Sequence, residues 1–143
     1  MLPACTDEPC GPARGVVDRV IDGDTVVLAD GHRVRYLLVD TPEISGMAEC
    51  FGPEAAEANR SLVEGREVDL EYDEVCRDDY DRLLAYVSID GREINLTLVE
   101  RGYACVLEIP PNGADRADIY RAAEQAAKDA GAGLWGVCSP PPC

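Results

Sequence analysis

Residues 15–43 read GVVDRVIDGDTVVLADGHRVRYLLVDTPE, and the order of apolar and turn residues here decides the fold. Gly15 to Val20 and Thr25 to Ala29 alternate apolar and polar side chains, the pattern of half-buried strands. Asp30-Gly31 between apolar runs is a hairpin turn signal. His32 to Val39 then returns as a third strand. Thr41-Pro42 ends it, because proline removes a ladder donor.

Working outward, Ile44 to Phe51 reads as a loop. Pro53 suits the first turn of a helix that runs over Glu54 to Leu62 and stops before Gly65. Glu67 to Tyr72 and Leu83 to Ile89 alternate as strands, and Asp90-Gly91 gives a second hairpin turn. Ile94 to Glu100 forms a short amphipathic helix ended by Gly102, and Tyr103 to Leu107 is extended. Ile119 to Ala130 is a helix with Gly131 as its C-terminal cap. Three strands, a helix and two strands is the order of an OB-fold, a five-stranded Greek-key barrel. The expected class is α+β, mainly β, with three helices. Residues 1–14 form an irregular arm rich in Cys and Pro, 15–138 the barrel domain, and 139–143 a Pro-rich tail.

A chain of 143 residues with 46% hydrophobic content can build one real core. No apolar run approaches the ~20 residues that cross a bilayer. The net charge of −15 is far from that of a protein with a basic nucleic-acid-binding face, and Lys128 is the only lysine. Such charge keeps a secreted or salt-adapted protein soluble. A local arginine cluster with a divalent cation can still make one cleft positive. Seven cysteines, at 5, 10, 50, 76, 105, 138 and 143, are dispersed without a CxxC pair. That spacing argues against a zinc ribbon and for disulfides in an oxidising compartment. The odd count leaves one free or shared between chains. Cys50 and Cys138 flank the helical parts and are the expected bridge, although sequence does not fix connectivity. Residues 1–14 lack the basic and apolar regions of an export signal. The cysteines nevertheless point to the processed form of a secreted, periplasmic or cell-surface protein.

The chemistry sits at the ends of the predicted strands. Asp24 and Asp40 offer hard oxygen ligands of the kind Ca2+ takes; alternatively, Asp22-Gly23-Asp24 is a polar turn and Asp40 a strand-end cap. Glu43, three residues past Asp40 in a turn stiffened by Pro42, suits a general base or is a surface glutamate. Arg35 and Arg82 suit phosphate clamps, because a planar guanidinium holds two oxygens at once. The alternatives are a snorkelling strand side chain for Arg35 and a surface salt bridge to Asp79 or Asp81 for Arg82. Arg35 and Asp40 are an odd number of residues apart, so a regular strand aims them at opposite faces. They share a site only if the chain bends or bulges between them.

Val20-Ile-Asp-Gly-Asp-Thr-Val26, Arg35-Tyr-Leu-Leu-Val-Asp-Thr-Pro-Glu43 and Asp79-Tyr-Asp-Arg-Leu-Leu-Ala-Tyr86, in that order, resemble the staphylococcal nuclease (thermonuclease) family over roughly residues 15 to 136. The resemblance implies the OB-fold and a Ca2+-dependent nuclease. Such an enzyme hydrolyses DNA and RNA with little sequence preference and leaves 3′-phosphate ends. It implies Asp24, Asp40 and the backbone oxygen of Thr41 as metal ligands, Arg35, Glu43 and Arg82 as catalytic residues, and Tyr80 as a nucleotide contact. No protein partner is evident in the sequence, and a monomer is expected. A non-catalytic OB-type module binding nucleic acid, Ca2+ or protein is the alternative. The chain departs from the family pattern at Asp79, where the family has lysine, and at Asp81, where it has glycine. Cys105 to Asn112 lacks the family's two tyrosines, and stacking on such rings is worth about 1–3 kcal/mol per base. The expected loss is in substrate affinity and base preference. His32 reads as a solvated turn residue, and Trp135 as a packing anchor.

Overall fold

In the computed structural model, which describes residues 10–143, β1 (Arg14–Asp22) buries Val17 and Val20 and exposes most of the residues around them. It runs antiparallel to β2 (Thr25–Leu28), with Val17 opposite Leu28 and Asp22 opposite Thr25. Two register shifts along this pair act as bulges and bend the strand. β2 pairs antiparallel with β3 (Arg33–Tyr36), Thr25 opposite Arg35. After α1 (Gly52–Val63), β5 (Glu67–Arg77) returns beside β1 and pairs with β6 (Leu83–Ile89). β6 lies parallel to β3, with Val34 opposite Leu83, and this pairing closes β1, β2, β3, β6 and β5 into a five-stranded barrel. The two-residue β7 (Arg92–Glu93) extends the sheet through the Asp90-Gly91 turn, where both residues have positive φ (52° and 80°). That is the backbone a tight hairpin needs.

Val17, Val26, Val34, Leu83, Val87 and Leu98 fill the barrel. α2 (Ile94–Glu100) closes one end, α3 (Ala117–Ala130) packs on α2, and the one-turn α4 (Leu134–Val137) follows. The observed fold agrees with the expected barrel and three helices, to which the one-turn α4 is added. None of the helices among the described residues is long and apolar enough to cross a membrane.

Asn95 at the start of α2 joins three segments and has no signature in the sequence. It is fully buried. Its side-chain oxygen accepts from Val87 N at 2.9 Å, and its amide donates to the carbonyls of Leu37 (2.9 Å) and Ala85 (3.1 Å). On the far side of the barrel, the Arg116 guanidinium lies 3.9 Å over the Tyr86 ring and pairs with Glu71 and Glu93. The Tyr120 hydroxyl also donates to Glu93. These contacts fix α3 against β5 and β6.

The expected third strand over His32 to Val39 is not continuous. β3 stops at Tyr36, Leu37-Leu38 turns, and β4 (Val39–Asp40) pairs with β8 (Cys105–Val106), Asp40 opposite Cys105. Leu38 has φ 67°, a left-handed conformation that a branched side chain adopts only under constraint. β5 runs on to Arg77, past the expected end at Tyr72.

Cysteines 10 and 76, 50 and 138, and 105 and 143 are brought together with Cα separations of 5.3, 5.9 and 6.3 Å, within the span of a disulfide. Cys5, and the arm over residues 1–9, lie outside the described residues.

Candidate active site

The bend at Leu37-Leu38 resolves the parity problem between Arg35 and Asp40. Arg35 enters from β3, and Asp40 comes back from β4 on the other side of the turn. Arg35 holds the bend itself: Nη1 donates to the carbonyls of Tyr36 and Val39, each at 2.8 Å. Its other terminal nitrogen, Nη2, lies 3.5 Å from Asp24 Oδ2 and 3.7 Å from Asp40 Oδ1.

Asp24 is only 4% exposed. Its Oδ2 accepts from both the backbone N and the hydroxyl of Thr41, each at 3.0 Å, and Oδ1 accepts from the Thr25 hydroxyl at 3.1 Å. The Asp22-Gly23-Asp24 turn presses against Thr41. A Cβ at Gly23 would stand 2.6 Å from Thr41 Oγ1, so only glycine lets the two loops meet.

Asp24, Asp40, Thr41 and Arg35 therefore form one cluster. Glu43 is exposed on the following loop; its N donates to Glu49 Oε1 at 2.9 Å, and it makes no ion pair with either arginine. Its charge reaches Asp40. Burial raises the Asp40 pKa, and repulsion from Asp24 adds to this against the attraction of Arg35, with Glu43 and Glu49 contributing further repulsion.

Arg82 enters a neighbouring cleft from the loop between β5 and β6. It pairs with Asp78, not with Asp79 or Asp81: Nε donates to Asp78 Oδ2 at 2.7 Å. Asp78 Oδ1 meanwhile accepts the backbone N–H groups of Tyr80 and Arg82. Burial opposes ionisation of Asp78, yet these hydrogen bonds hold its pKa below the usual carboxylate value. Asp81 pairs with Arg77 instead, at 3.1 Å. The cleft has a volume of about 390 Å³ and is lined by Arg35, Arg82 and Tyr80, with an aliphatic wall that includes Leu84, Leu107 and Ile109. Tyr80 is 71% exposed, and the Arg82 guanidinium lies 5.3 Å from the centre of its ring. The missing tyrosines thus leave an aliphatic wall.

Asp22 belongs to the site although the sequence reading gave it no role. Its carboxylate accepts from Asp24 N at 3.1 Å. Burial, then the neighbouring Asp24 charge, pushes its pKa up to about 7. Behind it, Asn59 is fully buried, accepts from the Tyr36 hydroxyl at 2.7 Å and donates to the Asp22 carbonyl at 3.0 Å. The Asp-Gly-Asp spacing was the available signal for Asp22. Nothing in the helix around Asn59 distinguished it from a surface asparagine.

The donor set fits a hard divalent cation. Asp24 acts on both Asp22 and Asp40 with Arg35 as the balancing charge, and burial first, then the Asp24 charge, raises the pKa of each. Among the described residues, no three His, Cys, Asp or Glu side chains already converge as a metal cage. Two carboxylates and a backbone oxygen are a different kind of site. His32 stands apart, its Nδ1 2.9 Å from Asp30 Oδ2 on an exposed turn. Trp135 packs with Leu134, Cys105 and Cys138, and Lys128 lies 4.9 Å over its ring.

Comparison with known proteins places this arrangement. The family model described as "Staphylococcal nuclease homologue" matches residues 33–137. Endonuclease YncB of Bacillus subtilis is 40% identical over 126 residues, covering 83% of this chain and 60% of the relative. The SPbeta prophage-derived endonuclease YokF of the same organism is 38% identical over 126 residues, covering 83% of this chain and 43% of the relative. Thermonuclease of Staphylococcus intermedius is 37% identical over 119 residues, covering 79% and 71%. The chain thus spans about 60% and 43% of the length of the two Bacillus relatives. With the bent β3–β4 segment, Asp40 and the second arginine loop all inside the matched residues 33–137, the chain belongs to the staphylococcal nuclease family.

Proposed function

We propose that residues 15–138 form a Ca2+-dependent phosphodiesterase that hydrolyses DNA and RNA with little sequence preference and leaves 3′-phosphate ends. The observation that carries this reading is the way both arginines are held. Each is anchored on protein acceptors, Arg35 through Nη1 on two carbonyls and Arg82 through Nε on Asp78; the terminal nitrogens of Arg82 are left uncommitted among the described residues, while Nη2 of Arg35 faces Asp24 and Asp40. Pre-oriented guanidinium groups lose little entropy when they grip a phosphate.

Asp24, Asp40 and the carbonyl oxygen of Thr41 would hold the cation. When bound, a hard divalent cation withdraws charge from the phosphate. The rest falls to the chain. Arg35 and Arg82 hold the equatorial oxygens as their charge grows. Glu43, exposed and free of ion pairs, takes the proton of the attacking water, help typically worth about 10²–10⁴ in rate. Thr41 keeps the Asp24 carboxylate fixed through its two hydrogen bonds.

The net charge of −15 favours a second reading, a non-catalytic module that binds nucleic acid, Ca2+ or protein. Digestion of plasmid and single-stranded DNA, with Ca2+ and with chelator, separates the two. Cleavage is expected with Ca2+ and none with chelator. Glu43→Gln and Arg82→Lys should each lower kcat by at least about 10²-fold while leaving KM nearly unchanged. Wild-type turnover in both variants would remove this mechanism. The cysteine pairings support export to an oxidising compartment, and peptide mapping without reduction checks them.

A further inference from the structure

The cleft beside Arg82 has little free hydrogen-bonding capacity left. Asn112 is occupied by the backbone of Val75, donating to its carbonyl and accepting from its N–H, both at 2.8 Å. Asp78 is occupied by Arg82, Arg77 by Asp81, and Arg35 by its two carbonyls. Apart from the terminal nitrogens of Arg82, two polar side chains of the cleft remain uncommitted among the described residues. They are the Tyr80 hydroxyl and the Asp79 carboxylate, which lines the cleft, is exposed and makes neither ion pair nor hydrogen bond. Asp79 and Tyr80 are adjacent on one turn and both line the cleft, so a base that stacks on the Tyr80 ring comes within reach of Asp79.

We propose that Asp79 makes this cleft a guanine-preferring base subsite, an inference that rests on the nuclease reading above and narrows its low sequence preference at this one base. An ionised carboxylate only accepts hydrogen bonds. Guanine alone among the bases carries two donors side by side on its Watson–Crick edge, N1–H and the N2 amine, matching the two carboxylate oxygens. Adenine and cytosine set an acceptor beside their amine, and thymine and uracil flank their one N–H with two carbonyls. Each presents a lone pair to the carboxylate where guanine presents a second donor. The edge is available only in single strands and frayed ends, where splayed bases are read in this way. The aliphatic wall of Leu84, Leu107 and Ile109 strengthens the effect by keeping competing water from part of the cleft.

The test uses five-nucleotide single strands, T-T-X-T-T, with X as guanine, inosine, adenine, cytosine or thymine. Binding is read by anisotropy with Ca2+ on the Glu43→Gln protein, and cleavage on the wild type. Guanine is expected to bind and react best, on the order of tenfold over thymine. Inosine, which lacks only the N2 amine, should lose most of that advantage. Asp79→Asn turns one acceptor into a donor and should level the series. Equal binding of all five strands, or no binding of any, overturns the proposal. So does an equal rise for all five in Asp79→Asn, which would make Asp79 a general repeller of phosphate. Guanine-selective binding without cleavage of any strand by the wild type would leave this subsite standing and remove the nuclease reading instead.

Discussion

Asp22 shows how a single carboxylate records the electrostatics of its site. Its folded pKa of about 7 lies well above the ordinary aspartate value of 3.8, from burial first and the Asp24 charge second. The folded protein therefore binds a proton more readily than the unfolded chain between these two values. The contribution of Asp22 to stability is fully present below about 4 and is lost as pH rises through about 7. Asp22→Asn should leave stability at pH 4 nearly unchanged. Above pH 7, in chelator, it should gain on the order of 1 kcal/mol, well short of the full linkage value because the carboxylate is only half-buried and screened. Urea unfolding at the two pH values measures this, and an equal effect at both would show that folding does not raise the Asp22 pKa. Residue identity at this scale was only partly legible in the sequence. Aspartate, arginine and threonine announce their chemistry by type and spacing. For Arg82 the sequence offered Asp79 or Asp81 as a salt-bridge partner and missed Asp78, which folds back to accept the Tyr80 and Arg82 N–H groups as well as Arg82 Nε.

At the scale of elements, the strands were readable where side chains alternate and hairpins carry Asp-Gly, as in Leu83 to Ile89. The break at Leu37-Leu38 was not. Tyr36 to Val39 is apolar throughout, and no local propensity places a left-handed leucine there. The bend is held from outside, by Arg35 on its carbonyls and by Asn95 on the Leu37 carbonyl. Asn95 is thus a link between the α2 helix and the geometry of the site. Asn95→Ala strands Val87 N–H and weakens the hold on the Leu37 carbonyl, both in the interior. The expected cost is about 2–4 kcal/mol, from about 1–3 kcal/mol per orphaned buried group. Because the bend sets where Arg35 and Asp40 meet, Ca2+ affinity should fall along with stability. Chemical denaturation with and without Ca2+ tests both parts. A destabilised variant with unchanged Ca2+ affinity would separate α2 from the site.

For the whole molecule, composition and site pull in opposite directions, and ionic strength decides between them. The chain carries a net charge of −15, while the arginines proposed to hold the phosphate are concentrated in one cleft. At about 0.01 M salt the Debye length is about 30 Å, so an approaching polyanion feels the whole molecule and is repelled. At about 0.1–0.15 M it shrinks to about 8–10 Å, and the strand senses the local arginines instead. Beyond that, added salt weakens the remaining phosphate contacts as counterions compete for them. The rate constant kcat/KM on a single-stranded oligonucleotide, at fixed saturating Ca2+, should therefore rise from the lowest salt, pass through a maximum near about 0.1 M and then fall. A basic nuclease loses activity from the first addition of salt, because attraction acts at every range. Arg82→Ala should lower the curve while leaving its rising limb, which belongs to the global charge and not to the clamp. A decline of kcat/KM from the lowest salt upward would show that the cleft field dominates at all distances, and that the acidic surface does not oppose the approach of nucleic acid.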